Sequence, residues 1–95
     1  MYELSSKAIE DIEGVIDYTV KNFGYDGMLA YHQSLDECFQ TLSKNPDIGL
    51  NYDHVGFGYF CFYHRSHAVF YKKKSNDIFI IRVLHKSMDI VKHFD

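Results

Sequence analysis

From Ala8 to Leu42 apolar residues recur every three or four positions, whereas from Tyr59 to Leu84 they crowd into short runs. The first pattern is that of helices with one buried face, the second that of strands. Ala8, Ile9, Ile12, Val15, Ile16, Thr19, Val20 and Phe23 share a stripe, with Glu10, Asp11, Glu13 and Asp17 on the opposite face and in the first turns. This spacing predicts a helix from about Ser6 to Asn22, capped by Ser5 or Ser6, with Gly24 placed as a C-terminal cap. A second stripe, Leu29, Leu35, Cys38, Phe39 and Leu42, predicts a helix from near Asp26 to Asn45-Pro46, because a residue before proline is pushed out of the helical region. Two helices joined by a short glycine-containing turn predict an antiparallel hairpin.

Met1-Tyr2-Glu3-Leu4 reads as a short strand ahead of these helices. Pro46 to Gly58, rich in turn formers, reads as a loop. Three strands follow, Tyr59 to Tyr63, His67 to Lys72 and Ile78 to His85, linked by short polar turns and therefore expected to form an antiparallel meander. Helices segregated from strands imply a single α+β domain in the order β-α-α-β-β-β, with the helical hairpin packed on the sheet.

Composition sharpens this picture in two places. Eight Phe and eight Tyr with no Trp, in 95 residues, make aromatic rings the main source of buried area. The net charge of −3 hides an asymmetry: residues 1–48 carry three lysines against nine acids, residues 49–95 seven basic groups against four acids. A basic second half suits an acidic protein partner, while a pI near 6.0 falls below the footprint of a general nucleic-acid binder. No apolar run approaches the roughly 20 residues needed to span a bilayer. Cys38 and Cys61, with no CxxC spacing and no secretory leader pattern, are expected to be reduced thiols of a cytoplasmic protein.

Five stretches in this order resemble the ParE branch of the ParE/RelE superfamily of bacterial toxins. They are Leu4-Ser5-Ser6-Lys7-Ala8, Ile16-Asp17-Tyr18-Thr19, Leu42-Ser43-Lys44-Asn45-Pro46-Asp47-Ile48-Gly49, Ser66-His67-Ala68-Val69-Phe70-Tyr71 and Ile81-Arg82-Val83-Leu84-His85-Lys86-Ser87-Met88-Asp89. The resemblance spans nearly the whole chain. It implies the toxin of a type II toxin–antitoxin pair, forming a hetero-oligomer with a small antitoxin whose C-terminal segment folds into a groove. The ParE branch implies DNA gyrase as target; the RelE branch implies ribosome-dependent cleavage of mRNA. RelE-type cleavage needs basic side chains and a tyrosine around the scissile phosphate. The stretch that carries an arginine and a tyrosine in that branch reads Ser87-Met88-Asp89-Ile90-Val91 here, and no arginine or tyrosine follows Arg82. A binding inhibitor, needing no cofactor, is the expectation. ParE relatives usually carry an arginine early in the first meander strand, whereas this chain reads Gly58-Tyr59-Phe60-Cys61-Phe62. That departure opens a further alternative, an attenuated toxin that only binds its antitoxin.

The residues expected to touch antitoxin or target are Tyr63, Arg65, His67, Tyr71, Arg82, His85, Lys86, Met88 and Asp89. Arg82 interrupts an apolar strand, so it either faces a groove or pairs with a carboxylate. His64, His67 and His85 invite a metal, but no HxH, HExxH or Cys-His spacing supports one. Cys61 beside His64 or His67 lacks an oxyanion donor and reads as a small apolar strand residue. Lys72-Lys73-Lys74 reads as a solvated hairpin tip. The strand Tyr59-Phe60-Cys61-Phe62-Tyr63 carries rings on both faces; one is expected to pack on the helices and the other to need a cover, such as a partner.

Overall fold

The structure, a computed structural model, describes residues 2–87 and 91–94. Strand β1 (Tyr2–Leu4) leads into the helical run α1 (Ser6–Lys44), followed by β2 (Leu50–Asn51), β3 (Tyr59–His64), β4 (His67–Lys73), β5 (Ile78–His85) and a 3-10 turn, Val91–Phe94. The α+β class and the three-stranded meander are as the sequence predicts. The strands form one sheet in the order β1-β5-β4-β3-β2, antiparallel except for β1, which lies parallel to β5.

Ser5 starts α1 by accepting from the Ala8 N–H at 2.9 Å, and its hydroxyl also donates to the Ile81 carbonyl at 2.6 Å. One serine thus caps the helix and ties it to β5. Within α1, Gly24 adopts φ 76° and ψ −177°, a non-helical conformation that glycine accepts without a Cβ clash. A straight helix of 39 residues would be about 58 Å long at roughly 1.5 Å per residue. The longest dimension of the molecule is 37 Å, so the run doubles back at Gly24 into two arms, 6–23 and 25–44. The second arm ends where the Asn45 N–H donates to the Thr41 carbonyl, one residue before Pro46.

Both arms press on one face of the sheet. Ala8, Leu35, Cys38, Phe39 and Leu42 meet Val69, Tyr71, Ile78, Ile80 and Val83, with Ile12, Val15, Tyr31, Phe60 and Phe62 at the margin. The predicted stripes bury less than expected near Gly24: Val20, Phe23 and Leu29 are exposed, as is Tyr25 beside them.

Three features depart from the expected plan. The segment read wholly as loop contains β2, whose Leu50 and Asn51 pair with Cys61 and Phe60. The outer face of the meander is not left for a partner to cover, because Tyr52 and Phe94 pack on a second cluster of Cys61, Ala68, Phe70 and Leu84. The Phe94 ring stands 5.0 Å from Phe70 and 5.5 Å from Tyr59. Lastly, β5 carries a bulge: Tyr71 pairs with Ile80 but Phe70 with Arg82, so Ile81 is an extra residue. Ile78 and Ile80 face the helices before the bulge and Val83 after it. The period-2 alternation therefore shifts by one, which puts His85 on the helix-facing side.

Cys38 and Cys61 are buried free thiols, and burial pushes each pKa up to about 11. Neither is poised to form a thiolate at neutral pH. A water-soluble disulfide reagent is expected to label both only after unfolding; labelling of the native protein on the timescale of mixing would contradict this.

Candidate functional site

The sheet end where β3 and β5 stop and β4 begins is organised by two cross-strand pairs, His64 with His67 and His67 with His85. Cross-strand partners point to the same face, so three imidazoles stand in a row beneath the second helical arm. The Tyr31 hydroxyl shares a 2.5 Å hydrogen bond with His67 Nδ1, and the Ser34 hydroxyl lies 3.1 Å from His64 Nε2. The His67 and His85 rings meet edge to face at 5.5 Å. At His85 the Ser87 N–H donates to Nδ1 at 3.1 Å, which assigns the ring proton of the neutral side chain to Nε2. Burial, followed by the His85 and His64 charges, lowers the pKa of His67; burial and Arg65 lower that of His64.

Both histidines are harder to protonate folded than unfolded. Their neutral forms stabilise the protein above the unfolded histidine pKa, and that contribution is lost as pH falls through the folded values. Urea unfolding is expected to show stability declining as pH is lowered below neutrality, with a shallower decline in His67→Asn. A decline identical in both proteins would contradict the assignment.

This row closes one end of an open groove of about 1100 Å³ between the two helical arms and the sheet. Its apolar lining comprises Val15, Tyr18, Phe23 and Tyr31 from the helical arms and Val83 from the sheet. Gly14, Gly27 and Ala30 keep its helical walls low. Glu10 and Asp11 also border it, as do Arg65, His67 and His85 on the sheet. Asp11 is engaged inside the fold. Its two oxygens accept from Arg82 Nε at 2.8 Å and Nη2 at 2.9 Å, and one also accepts from the Val83 N–H at 3.0 Å. It thereby occupies the edge of β5 beyond Ile80, where pairing with β1 ends.

Of the nine residues expected at a contact surface, the groove gathers Arg65, His67 and His85. Tyr63 lies on the outer face, bonded to the Tyr52 hydroxyl at 3.0 Å, with Lys86 Nζ 5.7 Å from its ring centre. Tyr71 is fully buried: its hydroxyl donates to the Pro46 carbonyl at 2.8 Å and accepts from the Gly49 N–H at 3.0 Å, pinning the segment before β2. Arg82 takes the carboxylate-paired course of its two sequence alternatives. Met88 and Asp89 lie outside the described residues. Sequence reasoning missed Glu10, Gly14 and Tyr31 as groove residues. Tyr31 lies four positions before Leu35 on the buried stripe, a spacing that could have placed it there. Phe60, where relatives usually carry an arginine, stacks on Tyr71 at 5.6 Å with Lys73 Nζ 4.9 Å from its ring centre.

Among the described residues no cluster of His, Cys, Asp and Glu has the geometry to hold a metal ion, and no helix is long and apolar enough to cross a membrane.

Residues 2–90 match the family model described as the ParE toxin of the type II toxin–antitoxin system parDE. The chain belongs to the ParE toxin family. Toxin ParE1 of Caulobacter vibrioides is 29% identical over 92 residues, covering 97% of this chain and 95% of the relative. Toxin ParE1 of Mycobacterium tuberculosis is 32% identical over 90 residues, covering 94% and 92%. Among solved structures, a chain of the chromosomal ParDE system from P. aeruginosa superposes with a TM-score of 0.74 at 20% identity, covering 88% of this chain and 92% of that one. The ParE architecture here is therefore the shared one, and its groove is built from this chain's own Tyr31, Arg65 and histidines.

Proposed function

We propose that this ParE-family chain is a cytoplasmic toxin that acts by protein–protein binding, is held inactive by a cognate antitoxin seated in the groove, and has DNA gyrase as its target. The groove carries this reading. Its apolar lining, with the small residues Gly14, Gly27 and Ala30 leaving room, suits a segment that lays large apolar side chains inward, each worth roughly 1.5–3 kcal/mol when fully buried. The exposed residues near Gly24, Val20, Phe23, Tyr25 and Leu29, include Phe23 of the groove lining and leave apolar surface uncovered. Gyrase follows from family membership and the ParE-like C-terminal stretch, and binding without catalysis from the absence of the arginine and tyrosine that a RelE-type cleavage would use.

Expression of the chain alone is expected to arrest bacterial growth, and co-expression of the cognate antitoxin to restore it. Antitoxin binding with no arrest would replace this reading with the attenuated toxin, consistent with Phe60 packed against Tyr71. Arrest accompanied by mRNA cleavage on translating ribosomes would replace it with the ribonuclease.

A further inference from the structure

Arg65 and Ser66 form the two-residue turn between His64 and His67, and Arg65 holds φ 53°. Such turns ordinarily place glycine, asparagine or aspartate in that left-handed conformation. Arginine is there at a conformational cost, so the reason for it lies in its side chain. The turn is tied down by the Lys86 N–H, which donates to the Ser66 carbonyl at 2.9 Å. Arg65 Cζ lies 6.0 Å from the Tyr31 ring centre, on the rim of the groove. Beside it stand His67 and the His85 ring, whose Nε2–H is a donor in the neutral form.

We propose that this end of the groove is a carboxylate-binding subsite, in which Arg65 and the His67 and His85 rings receive an acidic side chain or the terminal carboxylate of a bound peptide. The proposal rests on the reading that a partner peptide occupies the groove. A forked guanidinium beside two imidazoles matches a carboxylate in charge and in donor count. The groove's other charged members decide against a nucleic-acid phosphate: a strand tracking along it would meet Glu10, while Asp11 is neutralised by Arg82, and the whole chain carries −3. A peptide with an acidic group toward Arg65 and a cationic one toward Glu10 satisfies both, giving the groove a polarity. The groups facing the imidazoles are Tyr31 and Ser34 from α1, His64 at the end of β3, Arg65 from the turn, and Ser87 after β5. A bound carboxylate favours protonated imidazole, so binding is expected to tighten as pH falls from neutral.

The test is a histidine-resolved NMR titration of the full chain with acetyl-Leu-Glu-Leu-amide, its Gln counterpart, acetyl-leucine with a free carboxylate, and inorganic phosphate. The Glu peptide is expected to raise the titration midpoint of His67, to perturb the ring resonances of His85, and to bind about tenfold more tightly than the Gln peptide. Acetyl-leucine binding instead of the Glu peptide would assign the subsite to a chain terminus. Arg65→Gly, whose backbone suits the turn, is expected to keep the thermal midpoint and lose that tenfold preference. Equal binding of the Glu and Gln peptides by wild type, with no response to acetyl-leucine, would overturn the proposal, as would a response to phosphate alone. Undiminished antitoxin affinity in Arg65→Gly would overturn it too while leaving the antitoxin reading standing. Failure of any antitoxin to bind, with the carboxylate titrations as expected, would overturn that reading and leave the subsite.

Discussion

Replacing Asp11 with alanine is expected to destabilise the domain by about 3 kcal/mol, toward the low end of what breaking one partner of a buried ion pair costs. The Arg82 and Asp11 side chains are only 14% and 13% exposed, so water can replace the lost carboxylate only in part. Two guanidinium donors and the Val83 N–H all lose their acceptor at once. In a domain of this size the thermal midpoint should fall by roughly 15 °C. Arg82→Met in the Asp11→Ala background removes the stranded charge and should restore most of the loss. Chemical denaturation of the single and double variants checks this; an Asp11→Ala protein as stable as wild type would show that the pair contributes nothing.

Gly14→Trp is expected to weaken antitoxin binding on the order of 100-fold, about 2.7 kcal/mol, without harming the fold. Nothing lies within 4 Å of a Cβ placed on Gly14, and the residue lines the groove, so an indole there has room in the free toxin but competes with the antitoxin for its seat. Replacing a glycine in a helix interior with tryptophan also favours the helix by roughly 0.5 kcal/mol, so the thermal midpoint should hold or rise slightly. Calorimetry with purified antitoxin, paired with thermal unfolding, separates the two effects. Unchanged affinity in a folded Gly14→Trp protein would move the antitoxin off this groove.

The elements whose signals are local were legible in the sequence. Strand β5 runs from Ile78 to His85 as read, Ser5 caps α1, Gly24 turns it back, and Asn45-Pro46 ends it. The parts that were not legible depend on partners distant along the chain. Asp11 and Arg82 are 71 positions apart: Arg82 in its apolar strand signals a groove or a carboxylate partner, but nothing local names Asp11, which alone reads as a charge on the helix's polar face. β2 is two residues held by β3, with too little length for an alternating pattern to show. The bulge at Ile81 matters most for the candidate site. An unbroken alternation from Ile80 would aim Arg82 and Leu84 at the helices, and only the extra residue brings His85 into register beside His67 on that face. The groove is therefore a product of register and of the Gly24 reversal, while the sequence exposes its ingredients singly.

The claim that this toxin works by binding gyrase is tested most directly by a supercoiling and DNA-cleavage assay with purified gyrase, folded toxin and cognate antitoxin. The account predicts lost supercoiling or accumulated cleaved DNA with toxin alone, reversed by antitoxin. Folded, antitoxin-binding toxin that leaves gyrase supercoiling and cleavage unchanged would contradict it.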